Sequence, residues 1–532
     1  YDPGNLMETL WDALEWAVAE HGDKPFLCIP ARADREYLPE GAEYTFAEIQ
    51  AEASTLSEAY RKAGWGPGHR VALALDNHPA HFVHFLALNR IGASQVPVNP
   101  YYLKGELEYL FEHSEAAMTV AAPWQIEKLQ DAGAPTVVSL DGFTPPPAPT
   151  VARAETPGLT TEIAVIYTSG TTGRPKGCVL TNDYALAVGR WYRDLGGALT
   201  LRPGAERVYV PLPVFHVNGG INTPAALMLS GNCLIMPDRF HGGTWWDDLA
   251  ATRATAMHYL GVIPPVLMAA PPSDADKTHG IKFGLGAGLD PALHQAFEER
   301  FGIPMVEVWG MSETGRFLAN AYEPRQIHTR AFGRATDDME AMVADDAGAP
   351  VADGVEGELL VRTPGDDPRR YFFDRYLKNE EATEEAWAGG WFHTGDVVTR
   401  DETGMLYFVE RAKNIIRRSG ENISAAEVEN ALIEHPAVAQ VAVMSCPDEM
   451  RDEEIFACVS LSAEVAPDTL LTFAAERIAQ YKLPGWLAVM DALPVTGTQK
   501  IQKHQIFAKG VDPRSDPRAI DLREAKAGMK RR

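Results

Sequence analysis

Residues 162–182 read EIAVIYTSGTTGRPKGCVLTN. The apolar run 162–167 predicts a buried strand, and 178–180 leads into Thr181 and Asn182, which can cap a helix continuing DYALAVGRWY. Between them, 167–177 is a loop leaving a strand, rich in Gly, Ser and Thr, with Lys176 as its single lysine. Backbone N–H groups bared by glycine, together with hydroxyls and one ammonium, are the groups that cradle a polyphosphate. The stretch is not a Walker A loop, whose lysine is followed by Ser or Thr and enters a helix; Lys176 follows Pro175 and precedes Gly177.

The same alternation extends outward from this loop. RVALALDN, HFVHFLALNRIG, SQVPVNP and AAMTVAA precede it as strand-like and amphipathic runs, which indicates parallel α/β layers. The Pro-rich stretch 143–158, FTPPPAPTVARAETPG, reads as an exposed loop. Beyond the motif, VYVPLP, CLIMP, AMHYLGVI, IKFGLGAG and MVEVWG each look like a buried strand ending in a loop. Ligands of such sheets collect past the carboxyl ends of the strands.

After about residue 410 the pattern changes. Ser424-Ala-Ala-Glu427 reads as a capping box opening a helix with Val428, Ala431 and Leu432 on one face. VAQVAVMSC and EIFACVSLS read as strands, and a helix is expected over 468–481. The expected fold is α/β: a large domain of layered α/β subdomains over 1–410, then a small α+β domain over 411–532.

Bulk composition narrows the function classes. The 532 residues exceed one ordinary core, and no run of 18 apolar residues predicts a membrane span. With 48 Lys plus Arg against 73 Asp plus Glu, the net charge of −25 argues against a nucleic-acid surface, so an anionic ligand must be met by local positive groups. The five cysteines are scattered and form no C-x-x-C pair, which suits reduced thiols in a cytoplasm and not a disulfide framework or zinc site. No signal peptide is recognised at the start, which is Tyr1 and not Met.

Seven motifs in order then carry a family resemblance: YTSGTTGRPKG at 167, FHVNG at 215, GLGAG at 284, WGMSETG at 309, GWFHTGD at 390, ERAKNIIRRSGEN at 410 and PVTGTQKIQK at 494. Together they resemble the adenylate-forming enzymes, which include acyl-CoA synthetases, luciferases and peptide-synthetase adenylation domains. The resemblance implies attack of a carboxylate on the α-phosphorus of ATP with loss of pyrophosphate, then transfer of the acyl group. The protein supplies positioning and positive charge for both steps.

The resemblance also implies roles for individual residues. Thr168, Ser169, Gly170, Thr171, Thr172, Gly173 and Lys176 would hold the β- and γ-phosphates, and Glu313 would hold Mg²⁺, with Ser312 standing where Thr is commoner. Gly286, Ala287 and Gly288, with Glu307, Val308 and Trp309, resemble the adenine slot, and Gly310 and Met311 are further cofactor-binding candidates; Trp309 stands where Tyr is usual. Asp396 resembles the ribose ligand and Arg411 its companion, although Glu410 precedes it where the family writes Gly. Lys500 would neutralise charge at the α-phosphorus, with Gln499 where glycine is normal; Lys503 is its neighbour.

Lys413 matches the hinge about which the small domain would rotate, presenting Ser419, Gly420 and Glu421 to a thiol. His216 resembles an aromatic/His gate at the acyl pocket, or is a structural histidine. His393 is expected to pack beside Asp396, and Trp245 and Trp246 to be core aromatics. Val262 to Pro265, Phe215 to Gly219 and Gly310 to Arg316 should line the acyl pocket, where Arg316 would either meet a second anionic group or form a surface ion pair.

No carrier domain is recognised after Lys500, which favours a free-standing ligase. The GENIS run resembles CoA ligases for small acids, including the carnitine and crotonobetaine type. Expected partners are a small carboxylic acid, ATP and coenzyme A, with Mg²⁺ as cofactor; a homodimer is compatible with the sequence. A luciferase-like oxidative enzyme and a non-catalytic nucleotide or acyl-CoA binder remain as alternatives on the same fold.

Overall fold

The structure, a computed structural model, describes residues 7–168, 175–345, 347–411, 415–494, 501–508 and 510–529, without the side chains of 275, 410, 411 and 504. The chain forms two compact units. The first comprises 1–100, 111–166 and 177–410; the second comprises 101–110, 167–176 and 411–532.

The first unit is built on layered sheets, as the alternation of apolar runs requires. An eight-stranded sheet runs in the order 318–319, 305–309, 284–287, 256–260, 207–209, 233–235, 25–29 and 42–45, with parallel pairing throughout except at its two edges. A seven-stranded sheet has the strand Glu162–Thr168 near its middle, flanked by Lys176–Thr181 and Ser94–Pro97. Ile163, Ala164, Val165 and Ile166 are buried, so the apolar run quoted first is a core strand. A third, five-stranded sheet, order 331–333, 406–411, 392–400, 357–362 and 340–344, is antiparallel along its described pairs.

Thr181 caps the helix Asn182–Asp194 by accepting from the Tyr184 N–H at 3.4 Å. Asn182 does something the sequence did not disclose. Buried, it accepts from the Leu10 N–H at 3.0 Å and from Asn89 at 2.8 Å, and donates to the Gly158 carbonyl at 3.0 Å. It thereby ties three chain segments to the strand–loop–helix motif. The Pro-rich stretch has no regular structure, but Trp65 Nε1 donates to the Pro146 carbonyl at 2.7 Å and fixes it.

The second unit has a six-stranded sheet in which Val438–Asp448 and Asp452–Leu461 pair antiparallel. Helices Ala425–Ile433 and Pro467–Ala475 pack on it through Val428, Leu432, Leu470 and Leu471. Two local expectations need correction. The helix expected over 468–481 ends at Ala475, and a short 3₁₀ turn at Gln480–Lys482 follows. Ser424 is the N-cap residue of the preceding helix but makes no side-chain cap, and its hydroxyl is buried without a partner. Glu427, which would complete the box, binds Lys482 Nζ at 2.6 Å. The ammonium brings a full positive charge to the carboxylate, which a backbone N–H does not, and so the ion pair takes it.

Candidate active site

In the first unit, strands Gly284–Ala287 and Met305–Trp309 run side by side with Gly286 opposite Glu307. A Cβ on Gly286 would stand 2.2 Å from the Tyr259 carbonyl oxygen, so only glycine fits that edge. Gly288 has φ +85°, a conformation that glycine adopts without strain. Glu307 fixes the turn that follows: its carboxylate accepts from the N–H groups of Gly288 at 2.9 Å and Leu289 at 3.1 Å, and from the Tyr259 hydroxyl at 2.5 Å. Burial pushes this carboxyl up, against those hydrogen bonds.

Trp309 ends the strand Met305–Trp309, and its indole N–H donates to Asp396 Oδ2 at 2.7 Å. Asp396, only 1% exposed, lies on the strand Phe392–Arg400 of the third sheet, so the indole that stands where Tyr is usual joins two sheets at the proposed ribose ligand. His393, expected beside Asp396, lies three residues earlier on the same strand. Its ring nitrogens face Glu358 Oε2 at 2.9 Å and the Ala388 carbonyl at 3.2 Å.

Glu313 is buried, and its Oε1 accepts from the Tyr376 hydroxyl at 2.9 Å. Tyr376 pairs with Cys178, Leu377 N–H donates to the Gly177 carbonyl at 2.7 Å, and Cys178 Sγ lies 3.7 Å from the Ser312 carbonyl. The expected magnesium carboxylate is thus held beside the residues that follow the phosphate loop. Among the described residues no group of three His, Cys, Asp or Glu could cage a metal. A cation at Glu313 would take its remaining ligands from phosphate and water, which is how Mg²⁺ ordinarily binds, so this donor set fits it.

His216 precedes a π-helical turn, Asn218–Asn222, and its ring lies 4.7 Å from that of Phe215. Asn77 positions this segment from a distance: it accepts from the Val214 N–H at 2.9 Å and donates to the carbonyls of Leu212 at 3.2 Å and Pro237 at 2.9 Å. Arg316 donates to Thr363 Oγ1 at 2.5 Å and to the Asp338 carbonyl, with its carboxylate 3.6 Å away and the Tyr371 ring 4.9 Å away. The surface ion pair expected for Arg316 needs correction: the guanidinium is buried and its ion pair with Asp338 is internal. Trp245 is fully buried against Tyr209 and Phe240, and Trp246 stacks on His279, so both are core aromatics.

In the second unit, Ser419 (φ +52°) and Gly420 (φ +85°) form a two-residue turn between the paired strands Ile415–Arg418 and Glu421–Ser424. Positive φ at both positions is the hairpin geometry that matches strand twist, and Gly supplies it at the second. Lys503 is engaged inside the unit, donating to the Val443 carbonyl at 2.9 Å and pairing with Glu429 at 2.6 Å. Thr168 ends its strand, and Lys176 begins the next. Ser169, Gly170, Thr171, Thr172, Gly173, Lys413 and Lys500 lie outside the described residues, as does the side chain of Arg411.

Sequence reasoning missed Tyr259, Tyr376 and Asn77, which hold the site residues in place. None belongs to a motif, and a lone Tyr or Asn carries no signal of its own.

Comparison with known proteins agrees with this arrangement. Residues 14–366 match the model of AMP-binding enzymes, and residues 427–500 that of the AMP-binding enzyme C-terminal domain. Crotonobetaine/carnitine–CoA ligase of Shigella flexneri is 30% identical over 487 residues, covering 86% of this chain and 92% of that protein. Sulfoacetate–CoA ligase of Cupriavidus necator is 30% identical over 527 residues, covering 94% and 98%. Among solved structures, a double mutant of o-succinylbenzoate CoA synthetase from Bacillus subtilis bound to a product analogue superposes with a TM-score of 0.80 at 22% identity, covering 95% of this chain and 99% of that one. A malonyl-CoA ligase product complex gives 0.73 at 27% identity, covering 91% and 100%. The chain therefore belongs to the AMP-binding, adenylate-forming enzyme family, with both its large N-terminal and its small C-terminal domain.

Proposed function

We propose that this protein is an ATP-dependent carboxylate–CoA ligase, an acid–thiol ligase acting on a small carboxylic acid. A carboxylate oxygen bonds to the α-phosphorus of ATP as the bond to pyrophosphate breaks; the CoA sulfur then bonds to the acyl carbon, and AMP leaves. The observation that carries the reading is the match to curated CoA ligases along 92% and 98% of their own length.

Within it, Thr168 to Gly173 and Lys176 hold the outer phosphates. Gly286 to Gly288 and Glu307 to Trp309 receive adenine, Gly310 and Met311 complete the nucleotide-binding run, and the Ser312 hydroxyl meets phosphate, while Asp396 and Arg411 receive the ribose. Glu313 would hold Mg²⁺, which supplies charge neutralisation of the phosphates. Lys500 meets the α-phosphate, His216 gates the acyl group, Lys413 is the hinge between domains 1–410 and 411–532, and Ser419 to Glu421 face the thiol. Among the described residues no helix is long and apolar enough to cross a membrane, and we place the enzyme in the cytoplasm. Sedimentation tests whether it is a homodimer.

The deciding experiment is a panel of small carboxylic acids assayed for AMP release with and without CoA. An acid giving CoA-dependent AMP is the expected result; none doing so would end the ligase assignment.

A further inference from the structure

The helix Lys104–Ser114 carries Glu106 and Tyr109, three residues apart and so on one face. Tyr109 donates its hydroxyl to the Pro175 carbonyl at 3.0 Å, immediately before Lys176, and its ring meets that of Tyr167 edge-on at 6.4 Å. Glu106 accepts from Lys482 Nζ, which also donates to Glu427 Oε1 at 2.6 Å. Lys482 and Glu427 are 3% and 8% exposed, and the ring of Tyr102 lies 5.0 Å from the ammonium. Glu427 Oε2 is buried as well. All these residues belong to the second unit.

A buried and a partly buried carboxylate around one buried ammonium make a poor stabiliser. Desolvating three charges for two contacts recovers little, and such groups act instead by fixing a geometry. What is fixed here is the ground next to Ser419 and Gly420. Arg418, the last residue before that turn, donates to the Tyr481 carbonyl at 3.4 Å and binds Glu454 at 2.7 Å. Glu427 opens the helix that follows the hairpin, and that helix has no side-chain cap of its own. Both flanks of the hairpin therefore rest on Tyr481 and Lys482, and Lys482 rests on Glu106.

We propose that Glu106, Tyr109 and Lys482 are positioning residues that couple the exit of the phosphate loop, at Pro175 and Lys176, to the hairpin at Ser419 and Gly420. This rests on the reading of those two segments as the phosphate-holding and thiol-facing parts of a CoA ligase. One helix face touches both: Tyr109 at the loop, and Glu106, through Lys482, at Glu427. A shift at Pro175 moves the helix and, with it, the seat of the hairpin.

Hydrogen exchange on the unliganded full chain tests the coupling apart from any activity. Tyr109→Phe removes one hydroxyl at the loop end; the expected result is exchange about threefold faster at the 425–431 amides, and Glu106→Gln speeds exchange at 176–181 by a similar factor. Effects confined to each variant's own end overturn the proposal. Kinetics give a second reading once an acid is known. Each single variant raises KM for ATP about fivefold with kcat little changed, and the double variant also raises it about fivefold; about twenty-fivefold, the product of independent effects, overturns it. Lys482→Arg keeps the coupling and Lys482→Met abolishes it. If no acid gives AMP, the ligase reading fails while the exchange result still decides the coupling.

Discussion

The Trp309 indole N–H donates to Asp396 Oδ2 across 2.7 Å, joining the end of a strand in one sheet to a strand in another. Asp396 is almost wholly buried, so losing this donor leaves its carboxylate less well compensated than before. Trp309→Phe is expected to cost about 1.5–3 kcal/mol of stability and to raise KM for ATP, whereas Trp309→Tyr, which can return a hydroxyl donor, loses less. Thermal melts and initial rates at varied ATP check both. A phenylalanine variant with unchanged KM for ATP would remove Asp396 from the nucleotide site.

Gly286 faces the Tyr259 carbonyl at a distance no Cβ can occupy, 2.2 Å. Gly286→Ala must push apart two parallel strands, a change of the overpacking kind that costs about 1–3 kcal/mol. We expect a lowered Tm and weakened ATP binding by calorimetry. An alanine variant that melts and binds like the wild type would refute the steric reading.

Lys500→Ala should lower acid-dependent ATP–pyrophosphate exchange by about 10² or more, the scale for losing one preorganised charge. Thioester formation from preformed acyl-adenylate should be nearly unaffected. Equal loss in both half-reactions would exclude separate adenylating and thioester-forming arrangements.

Glu298 anchors the strand Met305–Trp309 from the helix Pro291–Phe301. It accepts from the Met305 N–H at 2.8 Å, from Arg325 at 2.7 Å and faces His294 at 3.0 Å. Burial works against its charge, but these bonds outweigh it and pull the carboxyl from 4.5 down to about 2. A depressed carboxylate stabilises the fold above its unfolded pKa, and that contribution is lost as pH falls from about 4.5 to about 2. At neutral pH it amounts to at most about 3 kcal/mol. Glu298→Gln should lower Tm at pH 7 and lose much less on going to pH 3 than the wild type does. A variant with the wild-type acid profile would show that Glu298 is not the group that titrates.

Glu313→Gln keeps an acceptor for the Tyr376 hydroxyl but removes the charge a hard cation needs. The Mg²⁺ concentration for half-maximal AMP release should rise about tenfold or more, since one carboxylate typically anchors such an ion. An unchanged requirement would place the metal elsewhere.

Much of the fold was legible in the chain because it is local. The run Ile163 to Ile166 makes a buried strand and Thr181 caps the helix after it, each through residues that are neighbours in sequence. The ordered motifs likewise marked Gly286, Glu307, Trp309, Glu313 and Asp396 by their surroundings. Side-chain partners were another matter. Tyr376 reaches Glu313 across 63 residues and Trp309 reaches Asp396 across 87, and no pattern in the intervening chain announces either.

Glu427 shows the limit most plainly. By sequence alone it completes a capping box with Ser424, three residues away. Folding brings Lys482, 55 residues on, to the same carboxylate, and the ammonium takes it. The chain by itself determined many of the strands and helix starts, because those follow from backbone preferences and apolar periodicity. Only the tertiary structure decided which donor each buried carboxylate answers to, because that choice is a competition among groups that meet only once the sheets and helices have packed.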